Sequence, residues 1–278
     1  MIFSGCGRKL SFKETRMVMD TFVEISCFSS AKDLAVTAMK EAFKEIERIE
    51  KVFNKFDQES EISKINNLAG SGDMVISLEL FGIIERSIYY SNISGGSFDV
   101  TVRSAYKGRY EDILLNKDRL SIRFLDNDIK IDLGAIVKGY AVDKARMILE
   151  SHGIKNALIN IGGNIYAMGN PPGKKAWRVG IQDPSSKTAI IHKLSLRNRG
   201  VSTSGGYERP SHIIDPESGK PVKKVMSVTV VADSAEKADA LSTAVFVMGA
   251  EKGLELIKSL SDVKVFIFDR NGKLITYP

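Results

Sequence analysis

The sequence predicts an α+β fold in which one large domain combines mixed sheets with helices. Some segments alternate apolar and polar residues, as half-buried strands do, while others repeat apolar residues every three to four positions, as amphipathic helices do. The two kinds of segment do not alternate regularly, which favours α+β over a doubly wound sheet. The chain has 278 residues, 43% of them hydrophobic, which is enough for a full core. We expect residues 1–15 to form an N-terminal tail and residues 16–278 to form the domain.

The individual elements follow from the same patterns. The first half is predicted to contain, in order, a long opening strand over 16–28, helices over 31–53, 60–67 and 77–93, and two short strands within 119–132 around a turn at Asp126-Asn127. The second half is predicted to contain a helix over 135–152, a buried strand over 156–168 broken at Gly162-Gly163, strands over 176–182, 189–196 and 225–232, helices over 235–248 and 250–260, and a closing hairpin around Asn271-Gly272.

Charge restricts the classes of ligand. The chain carries 40 Lys and Arg against 34 Asp and Glu, a net charge of +6. This excess suits an anionic ligand such as a dinucleotide, and it would also suit nucleic acid or an anionic membrane surface. The basic residues are scattered, with no basic stretch interleaved with aromatic residues, so we expect no nucleic-acid partner. The sequence contains no run of about 20 apolar residues, so it predicts no transmembrane helix.

The N-terminal segment has two interpretations. Cys6 follows Ile2-Phe3-Ser4-Gly5, and this order is similar to the cleavage site of a bacterial lipoprotein signal. A full signal also needs a charged start and an apolar run upstream, which these residues lack. Either a longer precursor carries the signal and Cys6 receives a lipid anchor, or Cys6 is an ordinary residue of a frayed terminus. The other cysteine, Cys27, is expected to be a small buried hydrophobe.

The first polar cluster, residues 95–101, directly follows a predicted helix. Its glycines permit close approach of a ligand, Phe98 offers an aromatic face, and Asp99 offers an acceptor. The alternative is a glycine that ends the helix, followed by a turn.

The second cluster, residues 131–143, leads from a strand through a turn at Gly134 into a helix. Free N–H groups at the start of this helix suit a phosphate, and Lys138 could add a charge contact. The alternative is an ordinary connection in which Asp132 caps the helix.

The third cluster gathers hydroxyl groups beside glycines in residues 201–209, which indicates a polar pocket wall. His212 follows it and is one of only three histidines, near Asp215. A structural role and a catalytic role for His212 both stay open.

The fourth cluster lies in the helix predicted over 235–248. Asp239 and Thr243 are four residues apart and therefore share one face. Both carry the hard oxygen atoms that Mg²⁺ prefers. Alternatively, Asp239 interacts with the helix dipole and Thr243 bonds back to a carbonyl.

Taken in this order, the clusters resemble the ApbE family of FAD:protein FMN transferases, from about Met17 to Thr276. The resemblance is carried by Met19-Asp20-Thr21 and by residues 60–66, 96–99, 132–143, 160–164, 177–184, 203–205, 212–216 and 238–243. Each motif is weak alone, whereas the ordered set is specific. Two positions depart from the family pattern: Asp20 replaces a usual glycine, and Asn164 stands where many members have Asp.

The resemblance implies an ApbE-like domain with FAD in a central cleft and Mg²⁺ as cofactor. FAD would be the donor substrate, and FMN would pass to a threonine hydroxyl of an acceptor protein as a phosphoester, with release of AMP. Asp239, Thr243 and the backbone carbonyl of Ala135 would hold the metal, and His212 would accept the threonine proton. The residues expected to bind FAD are Met19, Phe56, Ser97, Phe98, Asp99, Asp132, Lys138, Thr203, Ser204, Gly205 and His212.

The resemblance also implies a partner and a location. The acceptor would be a subunit of a membrane redox pump, and a lipid anchor at Cys6 would hold the protein at the extracytoplasmic (periplasmic) face of the cell membrane. Two alternatives stay open: a Mg²⁺-dependent FAD pyrophosphatase, in which water replaces threonine, and a non-enzymatic FAD-binding lipoprotein.

Overall fold

A hairpin opens the fold in place of the single long strand that the alternation predicts. In the computed structural model, which describes residues 9–101, 109–186, 188–206 and 211–278, residues 10–18 pair with residues 21–29 in antiparallel register. Met19 and Asp20 form the turn with φ angles of 56° and 55°, the positive values that a tight hairpin turn needs. Neither residue is glycine, so the sequence pattern does not reveal the turn. Residues 10–15, predicted as part of an N-terminal tail, instead pair within the sheet.

The elements within the described ranges fall into strands and helices as follows. The strands are β1 Leu10–Val18, β2 Thr21–Ser29, β3 Met74–Val75, β4 Ile113–Asn116, β5 Ser121–Phe124, β6 Ala157–Ile161, β7 Asn164–Met168, β8 Trp177–Gln182, β9 Ile190–Leu196, β10 Arg199–Gly205, β11 Val225–Ala232, β12 Lys264–Asp269 and β13 Leu274–Tyr277. The helices are α1 Lys32–Phe53, α2 Glu61–Asn67, α3 Leu78–Ile93, α4 Val137–Ser151, α5 Ala235–Met248 and α6 Ala250–Ser259. A single 3₁₀ turn at Tyr110–Asp112 precedes β4.

The strands form three antiparallel sheets. The largest has eight strands in the order β1-β2-β6-β7-β10-β11-β12-β13, and the others are β3-β5-β4 and the ribbon β8-β9. Helices α1, α4, α5 and α6 pack on one face of the large sheet. This segregation of helices onto one face of an antiparallel sheet confirms the predicted α+β class.

Two hydrophobic cores lie on opposite faces of the large sheet. The main core joins the helices to strand residues such as Ile25 and Ile159. The second core joins Trp177 of the β8-β9 ribbon to Val201 and Val231. Because side chains alternate along a strand, β11 contributes Val228 and Val230 to the main core and Val231 to the second core.

The hairpin predicted at Asp126-Asn127 is wrong. Strand β5 pairs with β4 upstream of it, through a turn at 117–120, and residues 129–132 form no strand. The Asn66 side chain takes the place of a partner strand there, since its Oδ1 accepts from Ile131 N at 2.7 Å and its Nδ2 donates to Ile131 O at 2.9 Å. A side chain that substitutes for a strand leaves no periodic signal in the sequence.

No helix in the described ranges combines the length and the apolar character that crossing a bilayer requires.

Candidate active site

Helices α4 and α5 cap each other at their N-termini. Helix α4 has no side-chain cap of its own, and the N–H of Gly139 in its first turn donates to Asp239 Oδ2 at 2.9 Å. In return, Asp143 of α4 accepts from the N–H groups of Ala235 and Glu236 at 3.1 and 2.9 Å. Each carboxylate therefore lies at the positive end of the other helix. The exchange brings Asp239 next to the turn that precedes α4.

Close backbone contacts hold the first turn of α5 from two sides. A Cβ atom on Gly139 of α4 would lie 2.4 Å from the carbonyl oxygen of Ala235, and a Cβ atom on Gly200 of β10 would lie 2.4 Å from the backbone of Ser234. Neither position has room for a side chain, so glycine is required at both. The main chains of α4, α5 and β10 are consequently in direct contact beside Asp239.

A cluster of hydroxyl groups lies between β10 and α5. Ser202 Oγ donates to Asp239 Oδ1 at 3.3 Å and lies 3.3 Å from Ser242 Oγ. Ser204 Oγ lies 2.9 Å from Ser242 Oγ and 3.2 Å from Thr243 Oγ1. Asp239, Ser202, Ser204 and Ser242 are buried, whereas Thr243 is half-buried. We call these five residues the hydroxyl cluster.

Burial raises the pKa of Asp239, while Lys138, the Gly139 N–H and Ser202 oppose the rise. A buried carboxylate of this kind gains from a nearby cation. The described residues contain no group of three or more His, Cys, Asp or Glu side chains that could enclose a metal. A cation here would therefore need neutral oxygens, and Thr243 supplies one beside the Asp239 carboxylate. This donor set fits a hard cation such as Mg²⁺.

A series of polar contacts, the polar path, leads from the hydroxyl cluster to a cavity beside Asp132. Lys138 Nζ donates to Gly134 O at 3.0 Å, and Gly134 N donates to Asp132 Oδ1 at 3.0 Å. Lys55 Nζ contacts Asp132 Oδ2 at 2.6 Å. Beyond Asp132 opens a cavity of about 220 Å³ whose lining is mostly polar and includes Lys55, Gln58, Ser63, Asn66, Asn67, Lys130 and Asp132. Two lysines at this end suit an anionic ligand.

The cluster at 95–101 contacts this path through its backbone. Val100 O accepts from Asp132 N at 2.8 Å. Asp99 itself accepts from Thr101 N and Oγ1, both at 2.7 Å, and from Tyr110 N at 3.2 Å. Burial raises the pKa of Asp99, opposed by these hydrogen bonds. In this structure, Asp99 therefore holds the loop that carries Val100.

Phe98 is 1% exposed, and its ring lies 6.1 Å from the Tyr90 ring in the main core. The structure gives Phe98 a packing role, and its contact with FAD stays a prediction. Ser97, its half-buried neighbour, lies in the turn that follows α3.

Two other predicted residues lie on turns around α1. Met19 is half-buried in the β1-β2 turn, where its N–H donates to Glu50 Oε1 at 2.9 Å. Phe56 is 77% exposed just after α1, and Lys55 Nζ lies 5.0 Å from the centre of its ring. An exposed ring next to the Asp132 cavity is available for stacking with a planar ligand.

Three predicted residues at the end of β10 do not share one face. Ser204 points to the helices, whereas Thr203 points to the opposite face and lies 2.8 Å from Thr229, Oγ1 to Oγ1. Gly205 ends the strand and is half-buried. Only Ser204 of the three therefore enters the hydroxyl cluster with its side chain.

His212 is exposed on the loop between β10 and β11, near the bridge of Ile214 with Pro221. The pKa of Asp215, on the same loop, is lowered. Burial opposes this shift, but contacts with Lys224 and with two backbone N–H groups outweigh the effect of burial. Cys6 and residues 207–209 lie outside the described residues.

Sequence reasoning missed Lys55 as part of the site, and it gave Ser202 and Ser242 no role of their own within the clusters that contain them. Lys55 and Asp132 are separated by 77 positions, so no local spacing connects them. Ser202 was detectable, because it lies two residues before Ser204 in a strand and must share its face.

Comparisons with known sequences identify relatives of this chain. The sequence matches the ApbE family over residues 19–109 and 105–267. The FAD:protein FMN transferase of Treponema pallidum (strain Nichols) is 29% identical, with 95% of this chain and 86% of the relative covered. The FAD:protein FMN transferase of Klebsiella pneumoniae (strain 342) is 27% identical, with 84% and 82% covered.

Solved structures show the same relationship. The crystal structure of the ApbE protein from Thermotoga maritima superposes with a TM-score of 0.87 at 28% identity, covering 96% of both chains. The flavin transferase ApbE from Vibrio cholerae superposes with a TM-score of 0.87 at 23% identity, covering 97% of both chains, and supports the fold. With matches over most of its length in sequence and in structure, this chain belongs to the ApbE family.

Proposed function

We propose that the protein transfers FMN from FAD to a threonine hydroxyl of an acceptor protein, with Mg²⁺ as cofactor. The main support is the polar path from Asp132 through Lys138 to Asp239 and Thr243 in a member of this family. Lys138, together with Lys55 beside Asp132, suits a diphosphate, and the buried carboxylate of Asp239 suits a metal bound to that diphosphate. The relatives' name, FAD:protein FMN transferase, supports the same substrate and acceptor class.

Asp239, Thr243 and the carbonyl of Ala135 would hold the Mg²⁺. The ion, when bound, would neutralise charge on the diphosphate. The chain's own groups prepare the site: Ser202 and the Gly139 N–H orient Asp239, and Ser204 orients Thr243. Phosphoryl transfer depends mainly on such positioning and charge neutralisation.

In the proposed reaction, the oxygen of the acceptor threonine attacks the FMN-side phosphorus. The bond from that phosphorus to the AMP-side oxygen breaks, and AMP leaves with the electron pair. His212 would accept the threonine proton, and its exposed position on a loop suits contact with a second protein.

The role of His212 can be tested with His212→Ala. If His212 is the general base, the transfer rate should fall by about 10²–10⁴-fold, while the dissociation constant for FAD should change little, because proton transfer occurs only as the transition state forms. Rate and affinity would be measured on the same variant by single-turnover transfer and by quenching of flavin fluorescence. A weaker affinity with a preserved acidic limb of the pH profile would make His212 a binding residue instead.

Three functions are separated by incubating the purified protein with FAD and Mg²⁺, once with an acceptor domain and once without. AMP release that requires an acceptor domain, together with a flavin-labelled acceptor, supports transfer. AMP release without an acceptor and without labelling supports the pyrophosphatase. Tight FAD binding with no AMP release in either reaction supports a non-enzymatic FAD-binding lipoprotein.

We also propose that the acceptor is a subunit of a membrane redox pump, and that Cys6 carries a lipid anchor at the extracytoplasmic face of the cell membrane. The small residues before Cys6 motivate the anchor. Fractionation of the native cells with mass spectrometry of the N-terminal peptide tests it. Native protein in the soluble fraction with an unmodified Cys6 would reject the anchor.

A further inference from the structure

The side-chain carbonyl of Asn164 is a buried hydrogen-bond acceptor that has no donor among the residues described. Asn164 is the first residue of β7 and is 3% exposed, and no partner for its Oδ1 lies in the described part of the chain. Buried polar atoms in folded proteins nearly always have a partner, because water no longer supplies one. An acceptor left open in this way indicates a donor that arrives with a ligand.

The strand register places this open acceptor beside the hydroxyl cluster. Strands β7 and β10 are antiparallel with Ile165 opposite Val201. One residue further along the pairing, Asn164 lies opposite Ser202. Opposite residues of an antiparallel pair project from the same face. Ser202 is the residue that donates to Asp239. On its other side Asn164 pairs with Ile161, a residue of the main core, which places it on the helix-covered face.

We propose that Asn164 contacts FAD and that its Oδ1 accepts a hydrogen bond from an O–H or N–H group of the dinucleotide. This inference rests on the proposed function, because it takes FAD as the ligand of the hydroxyl cluster. FAD offers donors of this kind on both halves: the ribityl hydroxyls and flavin imide on the FMN side, and the ribose hydroxyls and adenine amine on the AMP side. The two sources are distinguished by titrating FMN and ADP separately alongside FAD.

The test compares Asn164→Leu with a matched control, Asn156→Leu. Asn156 is 8% exposed and precedes β6, but its Oδ1 already accepts from Asn170 N at 3.0 Å. Asn164→Leu removes an acceptor that has no partner, so the Tm of the ligand-free protein should stay the same or rise. Its dissociation constant for FAD should increase about tenfold, the loss expected for one hydrogen bond. Asn156→Leu should do the reverse, with a lower Tm and an unchanged affinity for FAD.

A second variant retains the acceptor. Asn164→Asp keeps an oxygen at this position, so with saturating Mg²⁺ it should bind FAD more tightly than Asn164→Leu. The inference is overturned if Asn164→Leu lowers the ligand-free Tm and leaves the FAD affinity unchanged, or if the Leu and Asp variants lose affinity equally.

Direct binding measurements separate this inference from the proposed function. A wild-type protein that binds FAD but releases no AMP would contradict the function alone, whereas a wild-type protein that does not bind FAD would contradict both.

Discussion

The two faces of strand β10 differ in chemistry, although they are built from consecutive residues. On the helix face, Ser202 and Ser204 join Asp239 in the hydroxyl cluster. On the other face, Val201 packs into the core around Trp177, and Thr203 bonds to Thr229. The first face holds buried polar groups that satisfy one another, and the second is largely apolar.

This difference separates the side chains of β10 expected to affect activity from those expected to affect stability. Buried polar groups that are fully paired contribute little net stability, because their desolvation offsets their hydrogen bonds. Apolar burial stabilises by about 25 cal/mol per Å². Substitutions on the helix face should therefore change turnover or binding, and substitutions on the ribbon face should change the free energy of unfolding.

The largest expected effect is on the helix face. Asp239→Ala should reduce Mg²⁺-dependent transfer below detection, because it removes the charged ligand predicted for the metal. The fold should persist, since the lost group is not part of the apolar packing. AMP release would be measured over a titration of Mg²⁺, with circular dichroism as the control for folding. Full transfer at low Mg²⁺ in this variant would contradict the metal assignment.

The matching change on the ribbon face is Trp177→Ala. Trp177 is 8% exposed, its ring centre lies 5.8 Å from that of Phe28, and its Nε1 donates to Met168 O at 3.0 Å. Truncation should lower the free energy of unfolding by about 3–5 kcal/mol, measured by urea denaturation. The dissociation constant for FAD should not change under conditions where the variant stays folded. A large loss of FAD affinity in the folded variant would show that the two faces are coupled.

A smaller change within the hydroxyl cluster tests the same difference between the two faces of β10. Ser204→Ala removes the contacts with Ser242 and Thr243, so the Mg²⁺ concentration that gives half-maximal transfer should rise by about 10–100-fold. Thr229→Val, on the other face, is the control and should leave this concentration unchanged. Equal responses of the two variants would remove Ser204 from the support of the metal site.

The smallest expected effect concerns the contact between α4 and α5. Burial raises the pKa of Asp143 to about 6, and the charge of Glu236 adds to the rise. The hydrogen bonds from two backbone N–H groups and the charge of Arg146 oppose it. The unfolded carboxyl titrates near 3.9. Asp143 therefore binds a proton more tightly in the folded protein than in the unfolded chain. The stability that this adds is fully present below about pH 4 and is lost as the pH rises through about 6.

Asp143→Asn should remove this pH dependence. The free energy of unfolding of the wild type, relative to the variant, should fall by roughly 2–3 kcal/mol between pH 4 and pH 7. Urea denaturation of the ligand-free proteins at both pH values measures the difference. Parallel pH profiles for the two proteins would contradict the raised pKa.

Local patterns predicted the helices and most strands well, because their signals are periodic and contained within each segment. The apolar stripe of α1 and the Val-rich run of β11 are examples, and both elements lie within a residue or two of their predicted limits. Strand β10 was missed, because its hydroxyl-rich sequence has no alternation of apolar and polar residues. The Met19-Asp20 turn was missed for a different reason: two non-glycine residues adopt positive φ there.

The site was predictable only in part. Asp239 and Thr243 share a helix, so their spacing alone placed them together. The contacts between Lys55 and Asp132 and between Gly139 and Asp239 join residues 77 and 100 positions apart. Such contacts depend on how the helices pack on the sheet, which no local pattern specifies. The open acceptor at Asn164 likewise becomes apparent only when its neighbours are known.

The backbone contacts at Gly139 and Gly200 have a consequence for engineering. Because main chain meets main chain on both sides of the first turn of α5, the separation of α4, α5 and β10 is set by van der Waals contact between backbone atoms and does not vary with side-chain rotamers. Transplanting the polar side chains alone onto another scaffold would therefore not reproduce the site. A successful graft would need to carry the three-way crossing of the backbones, with both glycines, as a single rigid unit.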